Sequence, residues 1–96
     1  MALRVELSPH AALDLEDSAA HIARDDPEAA ARWVDRLAAR ALRVGTYPRA
    51  GRAVPEYREP TIREVFVGNY RIIYKVEPTR ILILKFVEGH RRMLRR

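Results

Sequence analysis

The chain has 96 residues, a net charge of +5 and 48% hydrophobic residues. This length predicts one domain over residues 1–96, and the composition gives no indication of disorder. The absence of cysteine excludes disulfides and thiolate metal sites. The longest apolar run, at residues 81–84, is far shorter than the ~20 residues that span a bilayer. Since the first ten residues show no signal-peptide pattern, the sequence predicts a soluble cytoplasmic protein with no membrane partner.

The charge is unevenly distributed along the chain. Residues 1–45 contain 6 arginines and 8 acidic residues, whereas residues 46–96 contain 12 basic residues and 5 glutamates. The basic half favours nucleic acid or an acidic protein as a partner. A solvated, arginine-rich surface without a partner is the alternative.

The first half of the chain predicts a strand followed by two helices. Residues 2–7 alternate between apolar and polar, which is typical of a strand. Ser8-Pro9 and Asp26-Pro27 each combine a capping side chain with a proline suited to the first helical turn. Helices are therefore predicted at about 9–24 and 27–44. Because only two or three residues connect them, we expect an antiparallel helical hairpin.

Residues 45–61 predict a long loop. This segment holds two of the four glycines and three of the six prolines. Loops of this length inside a small domain are either functional or mobile, and the sequence leaves both open.

The clearest signal is a β-hairpin at residues 63–76, where two runs of β-branched and aromatic residues flank Gly68-Asn69. Both turn residues tolerate positive φ, so a two-residue turn is expected, with Val67 opposite Tyr70. One face of the hairpin then carries the apolar residues at positions 65, 67, 70, 72, 74 and 76, with Arg63 at its end. The other face carries Glu64, Phe66, Arg71, Ile73 and Lys75.

A further turn at 77–80 leads to a strand at 81–87, which is apolar on both sides and so predicted to lie inside the sheet. The predicted fold class is α+β: an N-terminal strand, a helical hairpin, then a three-strand antiparallel meander, with one small twisted sheet packed on the helices. The apolar face should meet the helices. The face with Arg71 and Lys75 should remain open, half apolar and half cationic.

At this point the chain resembles the RelE/ParE superfamily, the toxins of bacterial type II toxin–antitoxin systems. The resemblance covers nearly the whole chain and rests on length, element order and two stretches, VGNYRIIYKV at 67–76 and ILILKFVEGHRRML at 81–94. It implies a twisted antiparallel sheet with a helical hairpin on one side. It also implies a cognate antitoxin, whose extended and helical tail wraps over the toxin.

The superfamily contains two chemistries, and the residues favour one of them. RelE-like members cleave mRNA on the ribosome and need two cations on the strand before the hairpin turn. Strand alternation places those positions at Ile62 and Glu64, where one cation is missing and an acid replaces the other. Arg71 and Arg91 are kept, but the tail tyrosine is missing. The sequence therefore favours a ParE-like toxin, which poisons DNA gyrase and has no established catalytic residues.

Each candidate residue has a plain structural alternative. Arg71 is a candidate for binding an antitoxin or target. Alternatively, it forms an ion pair with Glu64, its diagonal neighbour across the two strands of the hairpin. Trp33 is expected in the packing of the helices, or else exposed as an anchor for the antitoxin. If the protein is a nuclease, the catalytic candidates are Arg71, His90 and Arg91. The residues predicted to bind antitoxin or target are Trp33, Glu64, Phe66, Arg71, Ile73, Lys75, Arg91 and Arg92.

No cofactor or metal is predicted, since two lone histidines, His10 and His21, are a weak signal for a metal site. Three functions remain open. The first is a gyrase-poisoning toxin without intrinsic catalysis, neutralised by an antitoxin with an acidic tail and a ribbon-helix-helix N-terminus. The second is a nuclease acting on mRNA in the ribosome. The third is a non-catalytic module that only binds its antitoxin and helps to repress their operon as a co-repressor.

Overall fold

The computed structural model describes residues 2–89 and confirms the predicted fold class. The elements in chain order are β1 (Arg4–Leu7), α1 (Pro9–Ala23), α2 (Pro27–Thr46), β2 (Arg52–Ala53), β3 (Ile62–Val67), β4 (Tyr70–Val76) and β5 (Arg80–Glu88). Two features differ from the prediction. The second helix is two residues longer, and a two-residue strand, β2, lies inside the predicted loop.

Both helices begin where the sequence predicts. The Ser8 hydroxyl accepts a hydrogen bond from the Ala11 N–H at 3.0 Å. The Asp26 carboxylate accepts from the N–H groups of Glu28 and Ala29, each at 3.1 Å. These side chains satisfy donors that have no partner within a helix, so each helix has a fixed first turn.

The five strands form one sheet in the order β1-β5-β4-β3-β2, in which β1 runs parallel to β5 and the other pairs are antiparallel. The predicted hairpin register is confirmed, with Val67 opposite Tyr70. Of the two turn residues, only Gly68 has a positive φ, of 54°, so Asn69 does not use the left-handed region. The last strand lies between two others, as its apolar character predicts.

The main core lies between the helical hairpin and the predicted apolar face of the sheet. Leu37, Ala41 and Val44 of α2 pack there against buried residues of β3, β4 and β5 such as Ile72 and Ile83. Burying a leucine, valine or isoleucine side chain contributes about 1.5–3 kcal/mol. The packing fixes which face of the sheet points away from the helices.

The start of α1 covers the edge of β5 where β1 ends. The Ser8 N–H donates to the Ile83 carbonyl at 2.9 Å, and its hydroxyl donates to the Leu84 carbonyl at 3.1 Å. Asp14 accepts a hydrogen bond from the Phe86 N–H at 3.0 Å. Polar groups at the start of the helix thereby form the hydrogen bonds with the β5 edge that a neighbouring strand would otherwise form. This part of the edge lies beside the β-bulge in the β4–β5 pairing. Within residues 2–89, no helix is long and apolar enough to cross a membrane.

Candidate functional site

The outer face is the side of the hairpin that points away from the helices, formed by Glu64, Phe66, Arg71, Ile73 and Lys75. The expectation that this face is open is wrong. Val54 and Tyr57 of the connecting segment, together with Leu84 and Val87 of β5, pack with Ile62 and Ile73 in a second apolar cluster. The segment between β2 and β3 therefore covers much of the face that the helices leave uncovered. We call residues 54–61 the covering segment.

Close contacts before β2 hold this part of the chain against the sheet. The Tyr74 hydroxyl donates to the Pro48 carbonyl at 2.8 Å and accepts from the Gly51 N–H at 3.1 Å. Arg63 donates from Nη1 to the Gly51 carbonyl at 2.9 Å. A Cβ on Gly51 would lie 2.5 Å from both the Glu64 carbonyl oxygen and the Tyr74 hydroxyl, so only glycine fits there. Burial raises the pKa of Tyr74, which stays a neutral donor.

Arg71 lies beneath the covering segment and is only 3% exposed. Its Nε donates to Glu64 Oε1 at 2.7 Å, and Nη2 lies 2.6 Å from the same oxygen. Its Nη1 and Nη2 also donate to the two oxygens of Glu56, at 3.2 and 2.9 Å. The predicted pairing of Arg71 with Glu64 is confirmed, and a second carboxylate adds to it. The hydrogen bonds that Arg71 donates to Glu56, and then those to Glu64, raise the pKa of Arg71 despite its burial.

Glu64 joins Arg71 to a second arginine at the edge of the sheet. Its Oε2 accepts from Arg52 Nε at 2.5 Å, and the Glu64 residue is only 1% exposed. We call Arg52, Glu56, Glu64 and Arg71 the ion cluster. Its two cations and two carboxylates balance, which is the condition under which buried charges are tolerated. The cluster holds the covering segment on the sheet through Glu56.

The ion cluster also limits the chemistry of this face. Among the described residues, the hydrogen bonds of Arg71 go to the carboxylates of Glu56 and Glu64. Arg71 is a permanent cation, so it supplies no general acid or base. Among residues 2–89 the three remaining features of the outer face that a partner could reach are Phe66, Lys75 and the β3 edge.

Phe66 and Lys75 are the exposed members of the outer face. Phe66 is 38% exposed, and the Arg52 guanidinium lies 5.4 Å from the centre of its ring. The Lys75 ammonium is 3.7 Å from the Glu59 carboxylate. Strand β2 pairs with β3 only at residues 63 and 64. Within the described chain, residues 65–67 of β3 therefore have no strand neighbour on their outer edge.

Trp33 packs at the border of the main core, which confirms the packing interpretation. Its ring centre lies 4.6 Å from that of Tyr70, and its Nε1 donates to the Ser18 hydroxyl at 3.4 Å. Burial raises the pKa of Tyr70, and Glu88 adds to this effect. Trp33 remains half-buried, so its role as an antitoxin anchor stays a prediction.

The structure brings some predicted residues together and leaves others aside. Glu64, Phe66, Arg71, Ile73 and Lys75 share one face, as predicted. Trp33 lies on the opposite side of the sheet, with the helices. His90, Arg91 and Arg92 lie outside the described residues. Among residues 2–89, no group of three or more histidine, cysteine or acidic side chains could hold a metal ion.

Sequence reasoning missed the contribution of Arg52 and Glu56 to the ion cluster. Both lie in the segment predicted as a loop, and neither occupies a periodic position. The available signal was an excess of positive charge on the outer face. The hairpin itself places only one acidic residue on that face beside Arg71 and Lys75. A buried arginine commonly requires more than one acceptor, because its guanidinium has five N–H donors.

Solved structures share this architecture. A chain of the chromosomal ParDE system of Pseudomonas aeruginosa superposes with a TM-score of 0.76 at 18% identity, covering 93% of this chain and 98% of that one. A chain of the RelBE2 toxin–antitoxin complex of Mycobacterium tuberculosis gives a TM-score of 0.61 at 22% identity, covering 92% and 99%. At these identities the likeness establishes the fold, which this chain shares with a chain of each of these two toxin–antitoxin systems.

The family is established by the sequence itself. Residues 5–94 match the model of the ParE toxin of the type II toxin–antitoxin system parDE. This match covers nearly the whole chain, and the chain therefore belongs to the ParE toxin family. Comparison with curated proteins yields no match.

Proposed function

We propose that this ParE-family toxin stops growth by poisoning DNA gyrase and that a cognate antitoxin neutralises it. One structural observation carries the choice of gyrase over mRNA: the ion cluster fills the position where the resemblance to RelE-like nucleases predicts cations that hold a phosphate. Family membership supports the same choice. Gyrase is a cytoplasmic enzyme, in agreement with the predicted location of the toxin.

The argument against nuclease chemistry is electrostatic. Ile62 and Glu64 lie on the same face of the hairpin as Arg71, as the alternation predicts. A phosphate a few ångströms from the Glu64 carboxylate would be repelled by about 1–4 kcal/mol, depending on the local dielectric. It would also have to displace Glu56 from Arg71. Both effects act against binding of an RNA backbone at this face.

The direct test uses purified toxin, purified gyrase and supercoiled plasmid. We expect the toxin to trap cleaved DNA, so that linear plasmid appears in proportion to toxin after denaturation of the enzyme. A heat-unfolded sample of the same toxin is the control and should leave the plasmid intact. Intact plasmid at every dose of folded toxin would refute the proposal. Codon-specific cuts in a toeprinting assay on translating ribosomes would instead support the nuclease.

The antitoxin is proposed to dock on the accessible part of the outer face. Phe66 offers an aromatic surface, Lys75 and Arg52 offer positive charge, and the adjacent edge of β3 offers backbone groups to an extended peptide. An acidic tail with an apolar anchor complements this combination. Arg71 and Glu64 can take part only if the covering segment moves.

The docking surface is tested with the protein encoded by the neighbouring gene. The variants Phe66→Ala and Lys75→Ala should each weaken its binding by about 5- to 30-fold in calorimetry, corresponding to roughly 1–2 kcal/mol. Leu13→Ala is the matched control, because Leu13 is 59% exposed but lies on α1. Unchanged affinity in both outer-face variants, or an equal loss in the control, would contradict this surface. Harmless expression of the toxin alone would favour a module that only binds its antitoxin.

A further inference from the structure

The covering segment contacts the outer face in the manner of a bound acidic peptide. Glu56 accepts hydrogen bonds from Nη1 and Nη2 of Arg71 at 3.2 and 2.9 Å. Three residues later, the Glu59 carboxylate lies 3.7 Å from the Lys75 ammonium. Between these two acids, Tyr57 packs against the second apolar cluster. The segment therefore presents two carboxylates to two cations of the hairpin, with an apolar anchor between them.

The ends of the covering segment are held more firmly than its middle. Residues 54–61 form neither a helix nor a strand. At one end Val54 is 1% exposed, and at the other the Thr61 carbonyl accepts a hydrogen bond from the Val76 N–H at 2.8 Å. Segments outside the helices and strands open at a lower free energy than the sheet on which they lie. Residues 55–60 are therefore the part of this face that a partner can displace.

We propose that the covering segment occupies the binding site of the antitoxin's acidic tail and that the tail displaces it. One carboxylate of the tail would replace Glu56 on Arg71. A second carboxylate would replace Glu59 on Lys75, and an apolar side chain between them would fill the place of Tyr57. The charge balance of the ion cluster is then kept, because one buried carboxylate takes the position of another. A nucleic-acid backbone carries negative charge but no apolar side chain for this place.

This inference rests on the proposed neutralisation by an antitoxin and extends its docking surface to Arg71. Because the free toxin fills the site with its own segment, that segment competes with the antitoxin. The apparent affinity of a ligand falls in proportion to the fraction of the protein that is able to bind it. Weaker attachment of the covering segment should therefore tighten binding. A segment that only stabilises the fold would give no such gain.

The test measures binding of the protein encoded by the neighbouring gene to full-length toxin by calorimetry. Glu56→Gln/Glu59→Gln retains the size of both side chains and removes their charges. This variant should bind about tenfold more tightly than the parent toxin, because the closed state is weakened. Glu16→Gln/Asp17→Asn removes two exposed acids of α1 and is the matched control for net charge. The control should bind like the parent.

Hydrogen exchange of the parent toxin provides a second measurement that needs no substitution. The N–H groups of Tyr57 and Ile62 donate to the carbonyls of Val54 and Glu59, each at 3.1 Å, in two turns of the covering segment. Displacement of the segment opens these turns. Both amides should therefore exchange about tenfold faster in the complex with the antitoxin than in the free toxin.

The outcomes separate this inference from the proposed function. Tighter binding by Glu56→Gln/Glu59→Gln alone, with faster exchange of the two amides, supports displacement. Equal gains in the variant and the control would show an effect of net charge and overturn it. Slower exchange of both amides in the complex would overturn it as well, because the antitoxin would then cover the segment without moving it. In either of these cases the parent toxin still binds its antitoxin, and the proposed function stands. Absence of any binding by the parent toxin would overturn both the displacement and the proposed neutralisation.

Discussion

Replacement of Arg71 by alanine should strongly destabilise the fold. The substitution leaves the buried carboxylates of Glu64, in the sheet, and Glu56, in the covering segment, without the cation that they share. Removing one partner from a buried pair typically costs about 3–5 kcal/mol, because an uncompensated charge remains. A domain of this size is stable by roughly 5–15 kcal/mol, so this single change removes a large share of the total.

Arg52→Ala provides the matched control, since Arg52 binds the other oxygen of the same Glu64 carboxylate. Its side chain is 61% exposed, so solvent screens the interaction and the expected loss is below about 1 kcal/mol. Both variants are compared with the parent protein in urea titrations followed by Trp33 fluorescence. If Arg71→Ala loses no more stability than Arg52→Ala, then the ion cluster does not hold the covering segment, and the argument built on it fails.

The remaining predictions concern Tyr74 and Asp14. Tyr74→Phe removes the hydroxyl between Pro48 and Gly51 and should lower the free energy of unfolding by about 1–3 kcal/mol in urea. Because burial raises the pKa of Tyr74, its contribution should be complete below pH ~10, where unfolded tyrosine titrates, and fall at higher pH. A urea series at rising pH should show this alkaline loss reduced in Tyr74→Phe. Asp14→Ala should cost about 1–2 kcal/mol by leaving the Phe86 N–H unpaired, whereas Asp14→Asn should retain more stability.

The sequence correctly predicted those parts of the structure that are determined by residues close to one another in the chain. The helix starts follow from Ser8-Pro9 and Asp26-Pro27, and the hairpin register follows from its two-residue turn, because capping and turn geometry act over a few residues. Alternation along β3 and β4 then assigned residues to the two faces of the sheet. These signals were sufficient for the fold class and for the grouping of Glu64 with Arg71.

The covering segment could not be predicted in the same way. Residues 54–61 have no period and no strong secondary-structure preference, so their position is determined by contacts with distant residues. Glu56 meets Arg71, 15 residues away, and Val54 meets Ile73. Consequently the sequence indicated which residues share the outer face, but it did not indicate which of them are exposed.

The ion cluster has a consequence for any change of this chain toward the alternative function, a ribosomal nuclease. A lysine in place of Glu64 would add one of the cations that the resemblance to RelE-like nucleases leads us to expect there, but it would place that cation against Arg71 and leave Arg52 without its acceptor. Glu56 would still occupy the remaining donors. Conversion to such a nuclease would therefore require several coordinated changes rather than a single substitution. Substitution of a buried member of the cluster, Glu64 or Arg71, would lower the stability of the fold before a new activity arose.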